Sequence, residues 1–357
     1  MTVQPLDENK AEAFTGRMLD ILNNGAIAIM ISIGHRVQLF DTLATLPPST
    51  SQQIADAANL NERYVREWLG AMVTGRIIEH NPDNNTYYLP PEYALFLTRD
   101  ASPDNIASFA QYIPLLSTVE DKIIDCFYNG GGVPYSAYKR FHQVMAEDSG
   151  QTVVAALEEF ILPLIPDLET ALENGIDVLD VGCGSGRALN SLAQKFRASR
   201  FTGYDFSEEA ITTAKNEAKK LGLSNIQFQI KDAATINEAS QYDLITTFDA
   251  IHDQAKPDVV LRAIFNALRP DGIYLMQDIR ASSNVDGNLE HPVAPLLYTI
   301  SCMHCMTVSL AANGMGLGAM WGEEKALEML EEAGFSSVEI KQLEHDFQNN
   351  YYIVKKQ

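Results

Sequence analysis

A short apolar run ending in three closely spaced glycines constrains this chain most. Ile176–Val181 reads as a strand. It feeds directly into Gly182-Cys183-Gly184-Ser185-Gly186-Arg187 and then into an amphipathic stretch, Ala188–Arg197. Glycines at the end of a strand let the backbone turn sharply and come close to a ligand. The helix that follows points its N-terminal N–H groups at whatever binds there. The same texture continues downstream. Arg200–Tyr204, Ile226–Ile230, Tyr242–Phe248 and Gly272–Asp278 read as strands, interleaved with the helices Glu208–Leu221 and Pro257–Leu268. Ser337–Glu344 and Asn350–Lys355 read as a closing antiparallel pair. This alternation predicts an α/β fold: a doubly wound, mostly parallel, seven-stranded sheet with helices on both faces. In such open sheets ligands sit outside the carboxyl ends of the strands.

The glycine spacing is G-x-G-x-G rather than the dinucleotide G-x-G-x-x-G, since Arg187 follows Gly186. Asp180 precedes the loop. Gly203-Tyr204-Asp205 ends the second strand, and Lys231-Asp232-Ala233 follows the third. Tyr242-Asp243-Leu-Ile-Thr-Thr-Phe248 comes next, then Leu268-Arg269-Pro270-Asp271-Gly272, then Glu332-Ala-Gly-Phe335. In this order the motifs resemble those of class I S-adenosylmethionine (SAM)-dependent methyltransferases over residues 176–357, with Asp271 where the family has a glycine. The Rossmann-like methyltransferase fold is what the resemblance implies, with SAM as cofactor and S-adenosylhomocysteine as product. It further implies that Asp180, Gly182, Gly184 and Gly186 order the loop around the methionine end. Asp205 would accept the ribose hydroxyls and Asp232 would bind the adenine amino group. Phe206, Ala233, Phe248, Asp249 and Tyr135 would complete the cofactor's surroundings. An acidic setting suits a sulfonium cation. No G-K-[ST] phosphate cradle is present.

The first 100 residues read as mainly helical. Apolar residues recur at helical spacing from Phe14 to Leu43, and Pro47-Pro48 stops the run. Thr50 with Gln53 forms a capping box for a helix over Ser51–Ala58. A second helix covers Glu62–Thr74, closed by Gly75, and Arg76–His80 with Thr86–Leu89 reads as a hairpin. Helix, turn, helix, hairpin is the winged-helix pattern, used either for DNA binding or for dimerisation. Residues 1–100 hold 7 Lys+Arg against 12 Asp+Glu, and Arg63 and Arg66 on the second helix are balanced by Glu62 and Glu67. A DNA reader needs a basic footprint that this segment lacks. The expectation is a winged-helix dimerisation domain over 1–100, a helical connector over 101–174, and a SAM-binding catalytic domain over 175–357. The connector contains Gly130-Gly131-Gly132-Val133-Pro134-Tyr135, which reads equally as a linker or as a lid over the cofactor.

Bulk properties narrow the partners. The net charge of −21 repels nucleic acid and anionic membrane surfaces. No apolar run near the start approaches the ~20 residues of a membrane span. Met1–Asn9 lacks the basic region of a signal peptide. Cys126, Cys183, Cys302 and Cys305 are too few for a disulfide scaffold, which points to a reducing, cytoplasmic setting.

Methyl transfer to a hydroxyl needs alignment and a base, and histidine suits the second task. His252-Asp253 lies just past the fourth strand. Winged-helix small-molecule O-methyltransferases, which the chain resembles over nearly its full length, carry a catalytic His-Asp there. The resemblance implies a base role for His252 with Asp253 beside it, a homodimer, and a small-molecule acceptor. The chain departs from the family's His-Asp-Trp at Gln254, which bears on substrate placement. Tyr138, His142, Tyr298, Met303 and Met306 are the candidates for the substrate pocket. Cys302, His304 and Cys305 are too few for a zinc site, so no metal is expected. Trp68 reads as core and Cys183 as a small packing residue. The glycine-spaced loop Asn313–Gly318 reads as a connection. Three alternatives stay open: a winged-helix regulator with a ligand-sensing domain, a methyltransferase directed at carbon, nitrogen or arsenic, and a nicotinamide oxidoreductase.

Overall fold

The computed structural model describes residues 6–356; most of the Met1–Asn9 stretch (residues 1–5) lies outside them. The chain divides into two compact units, one up to Leu115 and one from Leu116 onward.

The first unit opens with α1 (Glu8–Arg36), a single helix of 29 residues capped by the Asp7 side chain. The helices α2 (Leu39–Thr45), α3 (Ser51–Ala58) and α4 (Glu62–Thr74) follow, then the hairpin β1 (Glu79–Asn81) and β2 (Thr86–Tyr88), and α5 (Pro91–Leu97). The Thr50–Gln53 capping box forms as expected. Asn61 caps α4 through its side chain. Trp68 is buried against Phe40, and its indole N–H donates to the Met30 carbonyl at 2.8 Å. Gly34 is required there, because a Cβ would stand 2.4 Å from the Trp68 ring.

The apolar residues at the start of α1 do not enter this core. Phe14, Leu19 and Leu22 are 62%, 58% and 65% exposed. The expectation that no stretch could span a bilayer is corrected on length and composition. α1 and the continuous helical segment Ala294–Ala311 both pass that test, with mean hydropathies of 1.2 and 1.3.

A short helix, α6 (Tyr112–Ser117), spans the boundary between the units. In the second unit α7 (Glu120–Asn129), α8 (Phe141–Ser149) and α9 (Leu168–Asn174) precede the sheet. The sheet comprises β3 (Asp177–Val181), β4 (Arg200–Asp205), β5 (Ile226–Ile230), β6 (Tyr242–Phe248), β7 (Leu268–Ile279), β8 (Val338–Lys341) and β9 (Asn349–Lys355). Its order is β5-β4-β3-β6-β7-β9-β8, with β9 antiparallel to both neighbours and the rest parallel. The order reverses beside β3, so β3 and β6 flank the crevice where such sheets bind ligands.

The helices α10 (Arg187–Lys195), α11 (Glu208–Lys220), α12 (Pro257–Ala267) and α15 (Gly322–Ala333) cover the two faces. One core joins Leu179, Ile245 and Tyr274 to α12 and α15. The other joins Val178, Leu244 and Leu275 to α10 and α11. Adjacent residues of one strand thus serve opposite cores, as the strand period of two demands. Between β7 and α15 run α13 (Ala294–Ile300), a π-helical turn (Ser301–Cys305) and α14 (Met306–Ala311).

Candidate active site

The glycine loop folds around its own carboxylate. Gly182, Gly184 and Gly186 all have positive φ, at 78°, 52° and 68°. A Cβ at Gly182 would meet Ala250 Cβ at 2.6 Å, so the loop must pass tightly over the residues that follow β6. Gly184 faces open space. Its N–H donates to Asp205 Oδ2 at 2.9 Å, and the Ser207 N–H donates to Oδ1 at 2.8 Å. The end of β4 therefore ties down the loop after β3. Burial raises the Asp205 pKa against the pull of these two donors. Asp180 is sealed within the sheet and accepts the Thr246 hydroxyl at 2.8 Å; burial pushes its pKa up to about 7. Asp271 takes the left-handed conformation, φ 64°, where the family has a glycine.

A cavity of about 460 Å³ opens beside this loop. Of the expected cofactor residues, Gly182, Asp205, Phe206, Asp232, Ala233 and Tyr135 line it. Asp180, Gly184, Gly186, Phe248 and Asp249 do not form its wall. The remaining wall includes Asp253–Lys256 and the end of α14, through Val308, Ser309, Ala311 and Ala312. Asp232 also caps the turn behind it, accepting the Ala234 N–H at 2.9 Å.

His252 is buried at 4% exposure. The partner of its imidazole is not Asp253 but Asp278: Nδ1 lies 2.8 Å from Asp278 Oδ1. Asp253 turns to the cavity, and burial pushes its pKa up to about 6. Asp253, the other catalytic candidate, is thus not the partner of the ring. Consecutive residues on this tight loop point to different sides, and the carboxylate that meets the ring comes from β7. Parallel pairing of β6 with β7 brings it there, since Phe248 stands opposite Gln277. Burial lowers the His252 pKa, but the Asp278 charge outweighs it and the net shift is upward. The nearby Cys305 thiol adds to the upward shift. Asp249 is pushed well up by burial and by the Asp278 charge. Gln254, where the family has Trp, donates back to the Ala250 carbonyl at 2.9 Å.

None of the five substrate-pocket candidates lines the cavity. Tyr138 is buried and donates to the Met303 carbonyl. His142 meets the Ser207 hydroxyl at 3.3 Å, and the Tyr298 hydroxyl accepts from Asn288 at 3.2 Å. The π-turn over Ser301–Cys305 resets the phase of the helix, so that residues after Met306, and not Met303 or Met306, face the cavity. Within the same turn His304 stacks on Phe141 with ring centroids 3.7 Å apart. Its pKa is pushed down to about 3 by burial, which keeps it neutral.

Two segments, one read as a linker or a lid and the other as a connection, pack against the site. A Cβ at Gly132 would stand 2.0 Å from the Thr307 carbonyl, and the Val133 N–H donates to the Thr307 hydroxyl at 2.8 Å. Gly132 and Val133, at the end of the triple-glycine stretch, are therefore packed onto α14, next to Pro134 and Tyr135 in the cavity wall. The Asn313–Gly318 loop is likewise more than a connection. Met315 N–H donates to the Ala255 carbonyl at 3.0 Å and Gly318 N–H to the His252 carbonyl at 3.1 Å. It braces the backbone that carries His252 and Asp253.

Residues 25–99 match the Rv2258c-like winged helix-turn-helix domain, and residues 172–334 match a methyltransferase domain. The chain is thus a winged-helix protein with a methyltransferase domain. It is 30% identical over 106 residues to a fatty-acid O-methyltransferase of Mycolicibacterium smegmatis, a match covering 30% of this chain and 38% of that relative. It therefore spans well under half the length of this curated relative. Two solved structures share the fold across both units. One is a Nostoc punctiforme protein classed provisionally as an O-methyltransferase, with TM-score 0.70 and 19% identity, covering 96% of this chain and 98% of that one. The other is human N-acetylserotonin methyltransferase in complex with SAM, with TM-score 0.68 and 18% identity, covering 100% and 99%.

Proposed function

We propose that this chain is a SAM-dependent methyltransferase acting on a hydroxyl oxygen of a small molecule. One observation carries the reading: a single cavity joins Gly182, Asp205 and Asp232 to Asp253, with the His252–Asp278 pair directly behind. The residues present fit SAM. The loop is held open at Gly184, where no side chain intrudes. Asp205 keeps a lone pair on each oxygen for ribose hydroxyls, Asp232 stands ready for the adenine amino group, and Phe206 and Tyr135 supply apolar walls. When bound, SAM supplies an electrophilic methyl group on a sulfonium centre.

The protein's own part is to orient the acceptor and take its proton. His252 accepts that proton, and Asp278 stabilises the resulting imidazolium. Asp253 presents its carboxylate to the cavity beside it. The test is SAM binding by calorimetry, with methyl transfer from labelled SAM to a panel of phenols, alcohols and carboxylic acids. The expected result is binding by the wild type, much weakened in Asp205→Ala, and hydroxyl transfer lost in His252→Ala with SAM affinity kept. Absence of SAM binding by the wild type would remove the reading.

A carboxylic acid acceptor is the second reading. It needs no base, and His252 lies behind the cavity wall rather than on it. The fatty-acid O-methyltransferase among the relatives supports it. Transfer to a carboxylic acid that survives His252→Ala would select it.

We further propose that the winged-helix unit joins two copies of the chain rather than binding nucleic acid. On α4 the two arginines are paired with acids, Arg63 with Glu67 at 2.5 Å and Arg66 with Glu62 at 3.3 Å. That leaves no uncompensated basic face on this helix. All four cysteines are free, the state a cytoplasmic setting maintains.

A further inference from the structure

His252, Asp253, Gln254 and Ala255 belong to no helix or strand, so no regular ladder fixes their backbone. Reacting groups on such a loop need another means of staying in place, because a small misplacement costs rate steeply. Three carbonyls of this loop are held by one later segment of the chain. Gly318 N–H donates to the His252 carbonyl at 3.1 Å and Met315 N–H to the Ala255 carbonyl at 3.0 Å. Between them the Ser309 hydroxyl donates to the Gln254 carbonyl at 2.8 Å. Of these three donors only Ser309 uses a side chain. Its oxygen also accepts the Gly316 N–H at 3.1 Å. A single atom therefore joins α14, the Asn313–Gly318 loop and the loop that carries His252. Ser309 is 1% exposed and shares the cavity wall with Asp253. A hydroxyl has one proton to give, and here it is committed to the Gln254 carbonyl. The contact has no slack, since a Cβ at Gly314 would stand 2.4 Å from Ala255 Cα and 2.6 Å from Ser309 Oγ.

We propose that Ser309 is a positioning residue for methyl transfer: through the Gln254 carbonyl it sets where His252 and Asp253 stand against the cavity. This rests on the hydroxyl-transfer reading above. Ser309 takes no part in the proton transfer itself. It narrows the range of positions from which His252 can meet the acceptor.

Ser309→Ala removes the hydroxyl and leaves the Gln254 carbonyl and the Gly316 N–H without their partner. The expected result is a fall in kcat of about 10- to 100-fold, the scale of a misplaced reacting group. SAM affinity by calorimetry and the acceptor KM are expected to stay nearly unchanged. Ser309→Cys keeps a weak donor and is expected to recover part of the loss. Gly314→Ala forces the same contact apart from the other side, so its effect on kcat is expected to be less than additive with Ser309→Ala. A second readout needs no turnover. The His252 Nδ1–H facing Asp278 is expected to give a downfield proton resonance, identified by its loss in His252→Gln, that moves upfield in Ser309→Ala. A Ser309→Ala chain that loses only Tm, or that loses SAM affinity in step with kcat, overturns the positioning role. If the wild type transfers no methyl group, the transfer reading fails. The His252 resonance still decides for Ser309 in that case, and an unmoved signal overturns the proposal.

Discussion

Asp278 Oδ1 lies 2.8 Å from His252 Nδ1, and the same oxygen accepts the Trp321 indole N–H at 3.0 Å and the Ile279 N–H at 2.8 Å. A carboxylate held by three donors cannot swing away from the ring. It fixes the imidazole with Nδ1 on the carboxylate side and leaves the other nitrogen for chemistry.

The direction of the His252 shift yields a pH prediction. Asp278 raises the pKa above the ordinary histidine value despite burial, so the ring gives up its proton at higher pH than a free histidine. A base must be unprotonated, so kcat/KM is expected to climb with pH through a limb above 6.5. Asp278→Asn removes the stabilising charge and moves that limb to lower pH. It also lowers the plateau by about 10²-fold or more, the scale of general base catalysis. A pH–rate profile of both proteins checks this, and an unmoved limb would assign the titration elsewhere.

Asp180 offers a stability test with the opposite sign from a typical acid. Its folded pKa stands near 7 against 3.8 for the free side chain. The folded state thus disfavours the ionised form, so stability falls as pH rises from about 4 to about 7. The penalty is complete above that range. Some three units correspond to at most ~4 kcal/mol. Asp180→Asn keeps an oxygen for the Thr246 hydroxyl and carries no charge. It is expected to raise Tm at pH 8, to change Tm little at pH 4, and to weaken SAM binding. Thermal melts at the two pH values decide it.

Much of this architecture was readable from local chemistry. Ser51–Ala58 and Glu62–Thr74 have the bounds that the capping box and Gly75 announce. Ile226–Ile230 and Tyr242–Phe248 coincide with their apolar runs. Asp205 and Asp232 stand out in the sequence because each belongs to an ordered series of motifs after successive strands. Asp278 does not, because it lies outside that series and nothing local distinguishes an acid at the end of one strand from any other. Only the β6–β7 register brings it to His252. The helical phase across Tyr298–Met306 is not legible either, because nothing local marks the π-turn over Ser301–Cys305 that breaks the regular period. The exposed apolar residues of α1 show the same limit, since periodicity says that a face is apolar and not what covers it.

The glycine loop separates steric from ligand-facing roles. Gly182→Ala places a Cβ 2.6 Å from Ala250 at φ 78°, so strain and clash combine. A loss of ~2–4 kcal/mol in stability is expected. Gly184→Ala meets nothing within 4 Å and pays only for its φ of 52°, ~1–2 kcal/mol. Its expected signature is a fall in SAM affinity of tenfold or more with a modest change in Tm. Calorimetry paired with chemical denaturation distinguishes the two. A Gly184→Ala chain that binds SAM normally would show that the open space at this loop is not used.

α1 carries the last prediction. Phe14, Leu19 and Leu22 are mostly exposed, and Ile29 and Ile33 are each 42% exposed. Burying a side chain of this size is worth ~1.5–3 kcal/mol, so a helix of 29 residues displaying several of them has a strong drive toward a second copy. The wild type is expected to sediment as a dimer at micromolar concentration. Leu22→Glu combined with Ile29→Glu puts like charges into that contact and is expected to give a monomer. Both positions lie outside the buried residues of α1, so the helix itself should persist by circular dichroism. SAM binding, which belongs to the second unit, should be unchanged. A wild type that sediments as a monomer would assign this face to a different partner.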